Sequence, residues 1–299
     1  MALPIRLALA LCVLSSFGIF AQQAPLDLTP DKDGKLSQEQ MHTLMRVVAQ
    51  NYLDNFKKRR DYDFIERDVR TNKNGEGQVK STEITTYEII RIYGEPTRRL
   101  IEKSDKPLDA KEAAKEEEKI QKVIDKYKNE SNEAREKRQA KEEKQRDEEL
   151  KFVRQIADTH DFKFVETETL DGRETWVIDG EPRTGLQPED ADAKFVSRFR
   201  GRLWIDKADL QLARMDVEAI DTASVGWVLA RIHKGTRLAY EQVRMGDDVW
   251  LPKHLTYQLD ARVALFKGYN VDGDHTFRDY KKFRTSSKIV AIGEAQGDK

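Results

Sequence analysis

Five histidines and one cysteine are the residues from which a reactive centre would first be built. His42, His160, His233, His254 and His275 never fall at the H-E-x-x-H spacing that puts two ligands on one helix face for zinc. Each reads instead as a surface residue of a helix or strand. Cys12 lies in an apolar N-terminal stretch that export would remove, leaving no thiol for a disulfide, a thiolate metal site or a nucleophile. The chain has no G-x-S-x-G elbow, S-x-x-K, P-loop or G-x-G-x-x-G. Asp31-Lys32-Asp33-Gly34 has part of a calcium loop, but Thr29 and Gln40 would then occupy its first and twelfth positions, without the bidentate glutamate. It reads as a turn before a helix cap at Ser37. Two carboxylates facing across a cleft could hydrolyse glycosides, and the sequence leaves such a pair open. The expectation is a protein that is not an enzyme and carries no cofactor and no metal.

What remains is apolar material beyond the needs of a simple sandwich. Trp176, Trp204, Trp227 and Trp250 all fall in or beside one β-rich block. An apolar cavity binds acyl chains without catalytic groups, with affinity scaling at about 25 cal/mol per Å² buried. The expected cavity residues are Trp176, Trp204, Trp227, Leu229, Ile232, Tyr257 and Phe266. Tyr257 and Phe266 have opposite parity on one strand, so both point inward only if a bulge intervenes.

These residues need elements to position them. Arg6, the apolar run Leu7 to Phe20 and the small residue Ala21 form a secretory leader, cut after Ala21, which predicts a periplasmic protein. Residues 22–36 read as a linker. The 53 basic and 54 acidic residues nearly cancel, which disfavours nucleic acid as a partner. Met41, Leu44, Met45, Val48 and Tyr52 make one face of a helix over 37–58. Strands follow at 62–71, 78–93 and 98–103. Residues 109–158, free of Gly and Pro and dense in Lys, Glu, Gln, Arg and Ala, predict a charged helical insertion. It is a hairpin or one helix kinked near Asn129 to Asn132, lacking a sustained coiled-coil seam and with its middle projecting into water. This solvated arm is the place where another envelope protein could dock.

A second β block runs from 162 to 285, with hairpin turns read at 170–173, 207–209, 245–248 and 271–274. Within it, Val249 to Leu265 is the most regular alternating run, with His254, Thr256, Gln258, Asp260 and Arg262 on its wet side. Such length demands curvature. Thr222 to His233 reads as a short apolar helix lying on the sheet. The fold class expected is α+β: a curved antiparallel sheet, a half or incomplete barrel, with covering helices. It forms one domain over 37–285, followed by a flexible tail at 286–299.

Three stretches carry a family likeness: Arg202-Leu203-Trp204-Ile205-Asp206-Lys207 leading into Ala213-Arg214-Met215, then Val249-Trp250-Leu251-Pro252-Lys253, and the closing Phe277-Arg278-Asp279-Tyr280-Lys281-Lys282-Phe283. This rhythm resembles that of the periplasmic outer-membrane lipoprotein carriers and sorting proteins, the LolA/LolB-like family. The resemblance covers about 37–100 and 162–285; the insertion departs from it. It implies a half-barrel whose helices cover an apolar cavity, and a function as carrier of lipid or of acylated lipoprotein. The competing expectation is an envelope scaffold or sensor whose charged arm binds another protein, with no ligand in the barrel.

Overall fold

The computed structural model describes residue 32 and residues 36–225, 230–246, 249–263 and 267–282. The leader, most of the linker, Asp31, Asp33 and Gly34 of the expected turn, and the tail 286–299 lie outside the described residues.

Helix α1, Gln38–Arg59, begins at a capping box. Gln40 donates its backbone N–H to the Ser37 hydroxyl, and the Gln40 side chain accepts from the Ser37 backbone. Lys57, Lys58 and Arg59 close it where positive charge suits the helix dipole. Three strands follow: β1 (Tyr62–Lys73), β2 (Val79–Ile92) and β3 (Glu95–Lys103), with the two-residue β4 (Lys106–Pro107) beyond. Helices α2 (Ala110–Lys128) and α3 (Asn132–Thr159) form the insertion. Then come β5 (His160–Leu170), β6 (Arg173–Pro182), α4 (Ala191–Val196), β7 (Phe199–Asp206) and β8 (Leu212–Ala219). The short β9 (Ala223–Val225) and β10 (Ala230–Ile232) precede β11 (Arg237–Met245), β12 (Val249–Val263) and β13 (Lys267–Lys282).

The strands make one antiparallel sheet in the order β4-β3-β2-β1-β13-β12-β11-β8-β7-β6-β5. Among the described residues its two ends do not pair, so it is an open, curved α+β sheet rather than a closed barrel. The dry face of β5 to β7 supplies Phe162, Ile178 and Ile205, which close over Met41, Leu44, Met45 and Val48 of α1. Side-chain amides fasten the helix as well. Gln38 exchanges two hydrogen bonds with the backbone of Phe162 (2.6 and 3.1 Å), and Asn55 does the same with Trp250 (2.7 Å each). Asn51 donates to the carbonyls of Asp209 and Leu210. Apolar burial alone lets a helix slide; these paired amides fix its register on the sheet.

The motifs behind the family resemblance hold turns together. Buried Asp206 receives both guanidinium arms of Arg173 (2.6 and 2.8 Å) and the backbone N–H groups of Ala208 and Asp209. Burial alone would raise the Asp209 pKa, but bonds from Trp250 Nε1 (2.9 Å) and Arg244 (2.6 Å), with the charges of Arg173 and Arg244, hold it below the usual carboxylate range. Tyr280 donates to the Pro252 carbonyl (2.6 Å), joining the last motif to the second.

Three sequence readings change. Within Thr222 to His233 the described residues form strands rather than a helix: β9 pairs antiparallel with β10, with Ala223 opposite Ile232. Its period is two where it matters: Ala223 and Ile232 are buried, Ser224 and Arg231 exposed. The long end of β12 offers a free edge, and β10 pairs to it through Ala230 and Val263. That non-local pairing overrides a helical pattern. Second, no turn forms at Val271 to Asp274; β13 runs straight through, with Gly273 opposite Tyr257. The glycine serves close approach rather than a turn, because a Cβ there would sit 2.2 Å from the Tyr257 ring.

Third, the middle of the insertion, though mostly exposed among the described residues, is tied back to the rest of the protein. Helix α3 runs back antiparallel to α1, with Arg60 meeting Glu142 (3.2 Å) and Arg46 meeting Asp158 (3.0 Å). Arg138 grips Glu130 through two bonds (2.9 and 2.8 Å), pairs with Glu95 and lies 5.1 Å over Tyr127. Charge-assisted bonds therefore anchor a stretch with almost no apolar residues. The chain breaks between α2 and α3, where Ser131 caps the second helix.

Candidate functional site

The wet side read on β12 proves to continue across its neighbours. Strand register places Asp179, Arg202, Asp216, Ala239, Thr256, Asp274 and Val69 opposite one another, one residue per strand from β6 to β1. A second row beside it holds Arg200, Glu218, Arg237, Gln258, Asp272 and Thr71. Both rows line an open trough of about 680 Å³.

Its charges are already matched. Arg202 forms a two-armed pair with Asp179 (2.6 and 2.9 Å) and Arg214 another with Asp216 (3.2 and 2.8 Å). Glu218 accepts from Arg200 (2.8 Å) and from Arg237 (3.3 Å), and these bonds hold its pKa below the ordinary glutamate value. Asp274 faces His254 Nε2 at 3.0 Å, and Asp272 pairs with Lys73. Paired this way, each guanidinium and carboxylate keeps hydrogen-bonding capacity to spare. Small residues, Ala239 and Thr256, leave the middle of the floor open. An alkyl chain laid here would strip water from several ion pairs, each at a cost of several kcal/mol, against roughly 0.8 kcal/mol gained per methylene. A ligand bearing its own donors and acceptors meets no such penalty.

The expected cavity residues that lie among the described residues, Trp176, Trp204, Ile232 and Tyr257, are spread over different surroundings. Trp176 packs against the core beneath α1. Trp204 lies on the other face, nearly buried, donating Nε1 to Glu168 (2.5 Å) under the guanidinium of Arg214. Ile232 is buried with Ala219 and Ala223, against Phe195, Phe199 and Leu259. Tyr257 borders the trough while its ring lies across Gly273. Trp227, Leu229 and Phe266 lie outside the described residues. The charged trough residues on β7, β8 and β11 do not stand out in the sequence, because each looks like an ordinary surface charge. The signal was parity: Arg200 and Arg202, then Arg214, Asp216 and Glu218, alternate with apolar residues just as His254, Thr256 and Gln258 do.

All five histidines are engaged. His42 meets the Ala157 carbonyl (2.8 Å), His233 meets Asp260 (2.9 Å) and His275 meets Glu66 (3.1 Å). Burial lowers the His160 pKa, and its ring sits against the carbonyls of Phe199 and Ile156.

No family model and no curated protein matches the chain. Several solved structures are similar to it. An outer-membrane lipoprotein-sorting protein domain from Vibrio parahaemolyticus is 13% identical, with a TM-score of 0.31 over 81% of this chain and 95% of that one. A DUF1329 family protein from Desulfovibrio piger is 11% identical, with a TM-score of 0.28 over 82% and 95%. A LolA superfamily protein from Nitrosomonas europaea is 10% identical, with a TM-score of 0.26 over 79% and 94%. The first and third bear the name of the family that the sequence motifs resemble. Overlap this loose carries nothing about the chemistry of the trough.

Proposed function

We propose that the chain is a non-enzymatic binding protein of the cell envelope, exported to the periplasm, that holds a polar polypeptide partner in the trough. The observation that carries this reading is the trough floor itself: two transverse rows of side chains, mostly charged and each charge paired, one crossing seven strands and the other six. A polypeptide supplies N–H, C=O and polar side chains that can add to those pairs without leaving any charge dry. The acylated lipoprotein of the family resemblance contains such a polypeptide.

A second reading, a carrier of lipid or of the acyl chains themselves, has its own observation. Ala230 pairs with Val263, so the strand ends bordering the apolar sequences 226–229 and 264–266 are neighbours. Ile232 is buried just inside them.

A photoreactive residue at Ala239, on the trough floor, separates the two when combined with native mass spectrometry of the protein purified from the envelope. A polypeptide crosslinked from position 239, but not from exposed Lys144 on α3, supports the first reading. Bound lipid, uptake of a fluorescent fatty acid and no crosslink at 239 would replace it with the second.

A further inference from the structure

Among the described residues, the two ends of the main run of strands are treated differently. At the β3 edge, α2 covers the strand. The Leu100 N–H donates to Glu116 (2.9 Å), and Lys119 donates to the Arg98 carbonyl (3.3 Å). Strand β4 pairs with the end of β3. At the other edge, β5 has a partner strand only on its β6 side among the described residues. Its first half is closed by Gln38, which takes both the N–H and the C=O that Phe162 turns outward. Its second half, Glu166 to Thr169, is exposed and has no such cover among the described residues.

The bulge at Val165 decides which groups face out there. Before it, Phe162 opposes Gly180 and points its backbone away from β6; after it, the register shifts by one, so that Glu166 opposes Val177 and Glu168 opposes Thr175. Alternation then turns the N–H and C=O of Thr167 and Thr169 to the open side. Glu166 and Glu168 lie on the wet face, the side of Trp204, to which Glu168 is bonded. A second copy of this edge would bring glutamate against glutamate, which cross-strand pairing disfavours. A strand carrying Lys or Arg at alternate positions would meet them with opposite charge.

We infer that residues 166–170 of β5 are a docking edge for an extended, basic polypeptide segment, which adds as a strand through Thr167 and Thr169. The docking edge is independent of what fills the trough. The probe is a capped seven-residue peptide alternating Lys and Val, compared with its Glu–Val counterpart and with a form N-methylated on its ladder-facing amides. Thr167→Pro removes one outward N–H while leaving the β5–β6 ladder intact, since an edge tolerates proline on its open side.

The Lys–Val peptide is expected to bind, to slow amide exchange at Thr167 and Thr169, and to weaken roughly five- to tenfold with Thr167→Pro or with N-methylation. Glu166→Lys combined with Glu168→Lys should reverse the preference toward the Glu–Val peptide. The inference is overturned by no binding, by binding that ignores both Thr167→Pro and N-methylation, or by a dimer that forms through β5 in the protein alone.

Discussion

The two faces of one sheet solve opposite problems with the same alternation. Beneath α1 the dry face buries Leu44 and Ile205 completely, and Asn55 there exchanges both of its amide bonds with the backbone of Trp250. On the wet face, Arg202 and Asp179 remain 45% and 33% exposed while forming a two-armed pair. Stability resides in the first, and the proposed function places recognition in the second. A residue changed on the dry face should therefore damage the fold, and one changed in the trough should damage binding alone.

The largest expected effect tests the dry face. Leu44→Ala removes a side chain with no exposure and should cost about 3 kcal/mol, through lost burial and the cavity left behind, read as a shift of the urea midpoint. Asn55→Ala should cost about 2 kcal/mol in the same assay, because it leaves the N–H and C=O of Trp250 unpaired in a buried site. A dry-face variant that shifts the midpoint no more than a trough variant would break the comparison.

Acid should act through the dry side too. Burial depresses the His160 pKa in the folded protein, so the unfolded chain binds a proton first as pH falls. The stability contributed by neutral His160 is complete above about pH 6.5 and declines as pH drops toward the folded pKa. Thermal melts should show a falling midpoint between pH 7 and 5.5, and the slope should be shallower in His160→Gln. Equal slopes would remove His160 from the account.

The smallest effect on stability belongs to the trough. Arg202→Ala and Asp179→Asn, with their double mutant, should give a coupling of about 0.5 kcal/mol, as exposed pairs do. The same variants should lower crosslinking from position 239 several-fold. Loss of folding with either would move this pair from recognition to structure.

Much of the architecture was legible because it is local. The apolar face of α1, its cap at Ser37 and the alternation along β12 depend on residues a few positions apart. The trough was half legible. His254, Thr256 and Gln258 were read as a wet side, but that they continue into Arg237, Glu218 and Arg200 depends on register between strands far apart in sequence. Gly273 shows the same limit: Val-Asp-Gly-Asp is a turn sequence by composition, and only the Tyr257 ring across the strand explains a glycine in mid-strand.

By itself, then, the sequence determined which residues could face water and which could not, because periods of two and 3.6 are properties of a single segment. Tertiary structure decided which wet faces lie side by side. It also decided that 223–225 pairs with 230–232, and that a charged, largely exposed insertion is pinned at Arg138. Those outcomes rest on hydrogen bonds and ion pairs between residues far apart in the chain, whose strength depends on geometry that no single segment contains.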